Sequence, residues 1–137
     1  ASPEFIEDLR VRFGLDKPGG GVALRSAARL VRDRTGFTEG PHADPQAKVI
    51  STMIYLPPNG ARPEFGESFY MPRDPSFDCP CGISHDPALF ERAATIPFRP
   101  NTLLAFPRSP GCFHGVEDAI GPGDRRDLLL FDLDVPD

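Results

Sequence analysis

Cysteine and histidine are both scarce in this chain, at three residues each. Cys79, Cys81 and Cys112 are too few and too oddly numbered for a disulfide framework, which fits a reducing compartment such as the cytoplasm. No apolar run approaches the roughly 18 residues that a membrane span requires, and no secretory pattern precedes the first predicted strands, so no membrane partner is expected. Basic blocks are missing as well. The 15 Lys and Arg face 20 Asp and Glu, a net charge of −5, and a surface that tracks nucleic-acid phosphates is not expected on that balance. Internal repeats and composition breaks are also absent. The 137 residues therefore read as a single domain, with residues 1–20 a helix and loop and residues 25–137 the core.

What the chain has in quantity is proline and glycine, 17 and 13 residues. They fall between short apolar runs instead of in one tract, so they punctuate structure. At the start, SPEFIEDLRVRFGL offers a serine cap, Pro3, early acids, and Phe5, Ile6, Leu9 and Phe13 at helical spacing. That pattern predicts a short amphipathic helix, ended by the loop KPGGGV. Beyond it the predicted strands are part of ALRSAARLVRDR, then GFTEGPHAD, KVISTMIYL, ESFYMP, ATIPF, TLLAFP, CFHGVEDA and RRDLLLFDLDV. One segment, HDPALFERAA, reads as a helical turn with Leu89, Phe90 and Ala93 on one side. About eight short strands with turn signals between them predict an all-β sandwich or barrel with a short helical fringe. KVISTMIYL and RRDLLLFDL are apolar on both faces and should be central strands.

Chemistry concentrates at two places. His42 and Asp44 stand two residues apart at the mouth of an apolar strand, where side chains of that spacing share a face. Such a pair is a metal half-site, a salt bridge or a coincidence. His114, in GCFHGVEDA, supplies a distant second imidazole. Two histidines and one carboxylate form the facial triad of non-haem Fe(II), which leaves open positions for a cosubstrate and O2; a structural zinc would need a fourth protein ligand. Eleven residues after His114 stands Arg125, with Arg126 beside it, at the opening of an apolar strand. A guanidinium on a buried strand needs an anion, and its planar fork suits a carboxylate. The bland reading is a structural ion pair with Asp124 or Asp127. Tyr55, on the strand entered from Asp44, offers a hydroxyl.

These segments together resemble the Fe(II)/2-oxoglutarate-dependent oxygenases, in particular the prolyl-hydroxylase-like branch. The resemblance runs from about residue 25 to the C-terminus and rests on PHAD followed by KVISTMIYLPP, then GESFYMP, RPNTLLAFPRSPGCFHGVEDA and GDRRDLLLFDLDV. It implies a double-stranded β-helix of the jelly-roll or cupin-like kind. It implies that His42, Asp44 and His114 bind Fe(II), that Arg125 pairs with the far carboxylate of 2-oxoglutarate, and that Tyr55 helps hold this cosubstrate. The implied reaction is hydroxylation of a peptide (prolyl) or small-molecule substrate with O2, releasing succinate and CO2. The chain is short for that family. Strand parity leaves two inward sets open, Arg125-Asp127-Leu129-Phe131 or Arg126-Leu128-Leu130-Asp132; the first is preferred because it matches the family spacing and puts Phe131 inside. Two other functions stay in view: a metal-dependent cupin enzyme without the oxo acid, and a non-catalytic binding module. Cys79, Cys81 and His85 in CPCGISH are read as a loop, since Cys-Pro-Cys is tighter than zinc spacing.

Overall fold

The computed structural model describes residues 2–15, 23–78 and 81–136. Helix α1 (Pro3–Arg12) begins where the sequence predicts it: the Ser2 hydroxyl accepts the Phe5 N–H at 3.3 Å, Pro3 opens the first turn, and Arg10 and Arg12 close the last. Leu9 is buried, and Phe5, Ile6 and Phe13 pack with Ile50, Phe131 and Leu133 of the sheet beneath.

Eight strands follow among the described residues: β1 (Arg25–Asp33), β2 (Glu39–His42), β3 (Lys48–Tyr55), β4 (Ser68–Pro72), β5 (Phe90–Thr95), β6 (Leu103–Pro107), β7 (Phe113–Val116) and β8 (Arg126–Asp134). They form two antiparallel four-stranded sheets, a larger one ordered β1-β8-β3-β6 and a smaller one ordered β2-β7-β4-β5. The fold is all-β with a helical fringe. Both strands predicted to be central, β3 and β8, are central in the larger sheet. Phe106 of β6 lies against Phe69 of β4 and His114 of β7, with ring centroids 5.3 and 4.6 Å apart, so the sheets pack face to face. Met53, Tyr55, Phe65, Phe98, Phe106, Ile120 and Leu128 form the core between them.

HDPALFERAA corrects the sequence reading. Only Pro87–Leu89 makes a single 3-10 turn, capped by the Asp86 carboxylate on the Ala88 N–H at 2.9 Å. From Phe90 onward it is β5, paired with β4 from Ser68↔Thr95 to Pro72↔Phe90. Phe90 is buried against Tyr70, Phe77 and Phe113, and this tertiary packing overrides a locally helical pattern.

Two glycines let the backbone close around the future site. A Cβ on Gly115 would lie 2.5 Å from the Glu39 carbonyl, so β2 can seat against β7 with His42 directly opposite His114. A Cβ on Gly66 would overlap the Ile96 carbonyl, so only glycine allows the chain to pass there on its way to Glu67 and β4. No helix among the described residues is long and apolar enough to cross a membrane.

Candidate metal centre

His42 ends β2 and His114 sits in β7 as its cross-strand partner, with ring centroids 4.3 Å apart. Asp44 follows in the turn that carries the chain from the smaller sheet to β3 of the larger one. One ligand atom from each of His42, Asp44 and His114 can be chosen so that all three lie within 4.8 Å of one another. The structure therefore brings the three sequence-predicted ligands together.

Each imidazole is oriented by a bond at Nδ1. His42 Nδ1 lies 3.1 Å from the Gly40 carbonyl and His114 Nδ1 lies 2.7 Å from Glu67 Oε1, both acceptors, so Nδ1 carries the proton in each ring. That leaves both Nε2 atoms for another partner, and His42 Nε2 lies 3.6 Å from Glu39 Oε1. His114 Nε2 is buried with no hydrogen-bond partner, although Asp44 Oδ2 is 3.3 Å away. A buried, unpartnered ring nitrogen facing a carboxylate and a second imidazole fits a cation, and Nδ1-capped histidines are the usual form of metal-ligating ones. Asp44 is itself held: Ser51 Oγ donates to Oδ2 at 2.5 Å and Lys48 Nζ to Oδ1 at 3.1 Å.

Charge points the same way. The site opens on a cavity of about 270 Å³ lined by five carboxylates (Asp33, Glu39, Asp44, Glu67, Asp132) and three cations (Arg29, Lys48, Arg126). With His114 neutral, the lining holds two more carboxylates than cations, a balance that suits a divalent cation. Burial alone would raise the Asp44 carboxyl, but His114, Ser51 and Lys48 outweigh it and hold it far below the usual carboxylate range. Burial would likewise depress His114, but Asp44 and Glu67 dominate and push it up to about 9.

The two residues expected to hold the cosubstrate lie elsewhere. Arg125 precedes β8, half exposed at 50%, and pairs with Asp127 at 3.2 Å, whereas Arg126 is 3% exposed and lines the cavity. The register explains this correction: Arg126, Leu128, Leu130 and Asp132 face inward, and Phe131 packs on the outer face under Phe5 of α1. Asp127, on the outer face, pairs with Arg32 at 2.7 Å. Tyr55 is buried, but its hydroxyl accepts the Glu67 N–H at 2.8 Å and donates to the Ile96 carbonyl at 3.3 Å, and the residue does not line the cavity. Burial pushes that hydroxyl up to about 12, so it stays a neutral donor.

Sequence reasoning passed over Glu67, Asp33, Ser51 and Lys48. Arg126 donates from Nε to the Phe65 carbonyl at 2.7 Å, from Nη1 to Asp33 at 2.7 Å and from Nη2 to Glu67 at 2.9 Å. Glu67 lay within a quoted segment, GESFYMP, yet it sits just before a strand and no local spacing ties it to His114. Asp33 could have been found by pairing β1 with β8. Of the CPCGISH loop, Cys79 lies outside the described residues. Cys81 is a free thiol 2.7 Å from Arg108 Nη2, and His85 meets Phe77 edge-on, ring centroids 5.3 Å apart, on the outer face of the smaller sheet. No family model matches this chain, and no curated protein matches it.

Proposed function

We propose that this protein is an Fe(II)-dependent oxygenase that uses O2 and a 2-oxo acid, 2-oxoglutarate by the resemblance above, to hydroxylate a small-molecule or peptide substrate. The observation that carries this reading is the convergence of His42, Asp44 and His114 on one point, with His114 Nε2 buried and unpartnered, at the wall of a cavity that also holds a buried arginine. The architecture supports it. From β1 to β4, and again from β5 to β8, successive strands alternate between the two sheets, as they do in a double-stranded β-helix.

Fe(II), when bound, would activate O2 at the expense of the oxo acid, yielding succinate and CO2. The protein's own part is positioning. Ser51 and Lys48 fix the Asp44 carboxylate, Gly40 and Glu67 fix the two rings, and Met53, Phe106, Leu128 and Leu130 give the cavity a dry wall. Arg126 takes the place first expected for Arg125. A guanidinium has five N–H donors, and the three engaged here leave one on each terminal nitrogen for an anionic ligand.

One observation favours a second reading, a metal-dependent cupin enzyme without an oxo acid: Asp33 and Glu67 already neutralise Arg126. A single experiment separates the two. Anaerobic Fe(II) plus 2-oxoglutarate should give a weak visible charge-transfer band, with succinate released on admitting air, and His42→Ala should lose both. Metal binding without band or succinate selects the cupin reading. Absence of any metal binding overturns both.

A further inference from the structure

Glu67 is 4% exposed, and its two carboxylate oxygens are divided between two partners: Oε1 takes His114 Nδ1 at 2.7 Å and Oε2 takes Arg126 Nη2 at 2.9 Å. We propose that Glu67 is a positioning residue that couples the metal ligand His114 to the cavity arginine Arg126. This inference rests on the metal reading above.

A buried carboxylate survives only if its oxygens are satisfied, and here both are, by charged or polarised donors. Its backbone is fixed as well. The Glu67 N–H donates to the Tyr55 hydroxyl at 2.8 Å, the Glu67 carbonyl accepts the Ile96 N–H at 2.8 Å, and Gly66 lets the chain pass against Ile96. Asp33 holds the far side of Arg126 at 2.7 Å. Tyr55, Glu67, Arg126 and Asp33 thus form one hydrogen-bonded chain ending on His114. Its effect on a cation is specific. An acceptor at Nδ1 keeps the proton there and Nε2 free, and an anionic acceptor makes Nε2 a better donor; partners of this kind change metal affinity by about 10- to 100-fold. The same carboxylate aims Arg126, so it also sets where an anionic ligand could sit relative to the metal.

The test uses Mn(II) as a redox-silent probe. Glu67→Gln keeps the shape but replaces the anion with an amide that can present either end to Nδ1. Mn(II) affinity, measured by titration, should fall about 10- to 100-fold, while circular dichroism and a cooperative melt show the fold intact. In wild type loaded with Zn(II), long-range ¹⁵N–¹H spectra should place the His114 proton on Nδ1, protected from exchange, which requires no variant. Equal Mn(II) affinity in wild type and Glu67→Gln overturns the inference and leaves the metal centre standing. So does a Zn(II) form with the His114 proton on Nε2. If wild type takes up neither ion, the metal reading itself falls and the inference with it.

Discussion

β2 and β7 of the smaller sheet bring His42 and His114 to the cavity, whereas all three lining cations, Arg29, Lys48 and Arg126, come from the larger sheet. Asp44 lies at the crossing between them. The histidine wall mixes ranges: its rings face each other across adjacent strands, the Gly40 carbonyl orients His42 from two residues away, and Glu67 orients His114 from 47 residues away. The charged wall is long-range. Arg126 is held by Asp33 and Glu67, each far from it in sequence. Donor atoms can be delivered by two short strands, but a buried guanidinium needs anions gathered from several elements, because an unpaired charge there would cost several kcal/mol.

Removing the guanidinium is the sharpest way to break that wall. Arg126→Ala leaves Asp33 a buried carboxylate without its cation and leaves Glu67 with His114 alone, and breaking a buried pair from one side costs about 3–5 kcal/mol. Urea or thermal unfolding should show that loss in full. Unchanged stability would mean that Arg126 is not buried between the two acids.

The histidine wall should respond to pH and metal together. In the metal-free protein His114 is raised to about 9 from 6.5, so its stabilising contribution is complete below pH 6.5 and disappears as pH rises through about 9. Asp44 is depressed, so its contribution holds above its ordinary value of 3.8 and is lost as pH falls further. The melting temperature of the metal-free protein should therefore fall between pH 6.5 and 9. A metal ion competes with the proton on His114, so the extra stability given by excess Mn(II) should grow over the same interval. A metal-induced gain that is flat with pH would show that His114 is not a ligand.

The sequence made the histidine wall legible and left the charged wall ambiguous, for physical reasons. A His-x-Asp pair at a strand mouth and a later histidine are rare residue types in a chain with three histidines, so the pattern stands out. Strand existence was equally legible, since Gly and Pro bracket apolar runs; β5 was placed too late, at ATIPF, because ALFERAA also satisfies a helical pattern and only Phe90's partners decide against it. β8 was ambiguous in principle. Both of its faces are apolar, because α1 covers part of the outer one, so alternation carries no sign and Phe131 pointed the wrong way. Tyr55 was seen as a handle because a hydroxyl's target cannot be read from its own strand. The backbone N–H it accepts lies 12 residues on, after an irregular segment.

The least effect should come from the residue next to the one that matters most. Arg125 shares its charge and neighbourhood with Arg126, yet its side chain is half in water and its partner, Asp127, also has Arg32 at 2.7 Å. Exposed pairs of this kind contribute about 0–1 kcal/mol, and the second arginine compensates for the first. Arg125→Ala should therefore shift stability by no more than about 0.5 kcal/mol and leave Mn(II) affinity and any 2-oxoglutarate-dependent band unchanged. Parallel measurement with Arg126→Ala turns two adjacent positions into a direct reading of strand parity. If Arg125→Ala removed the band and Arg126→Ala kept it, β8 would have to be turned over by one residue, and the cavity would be lined by Asp127, Leu129 and Phe131 instead.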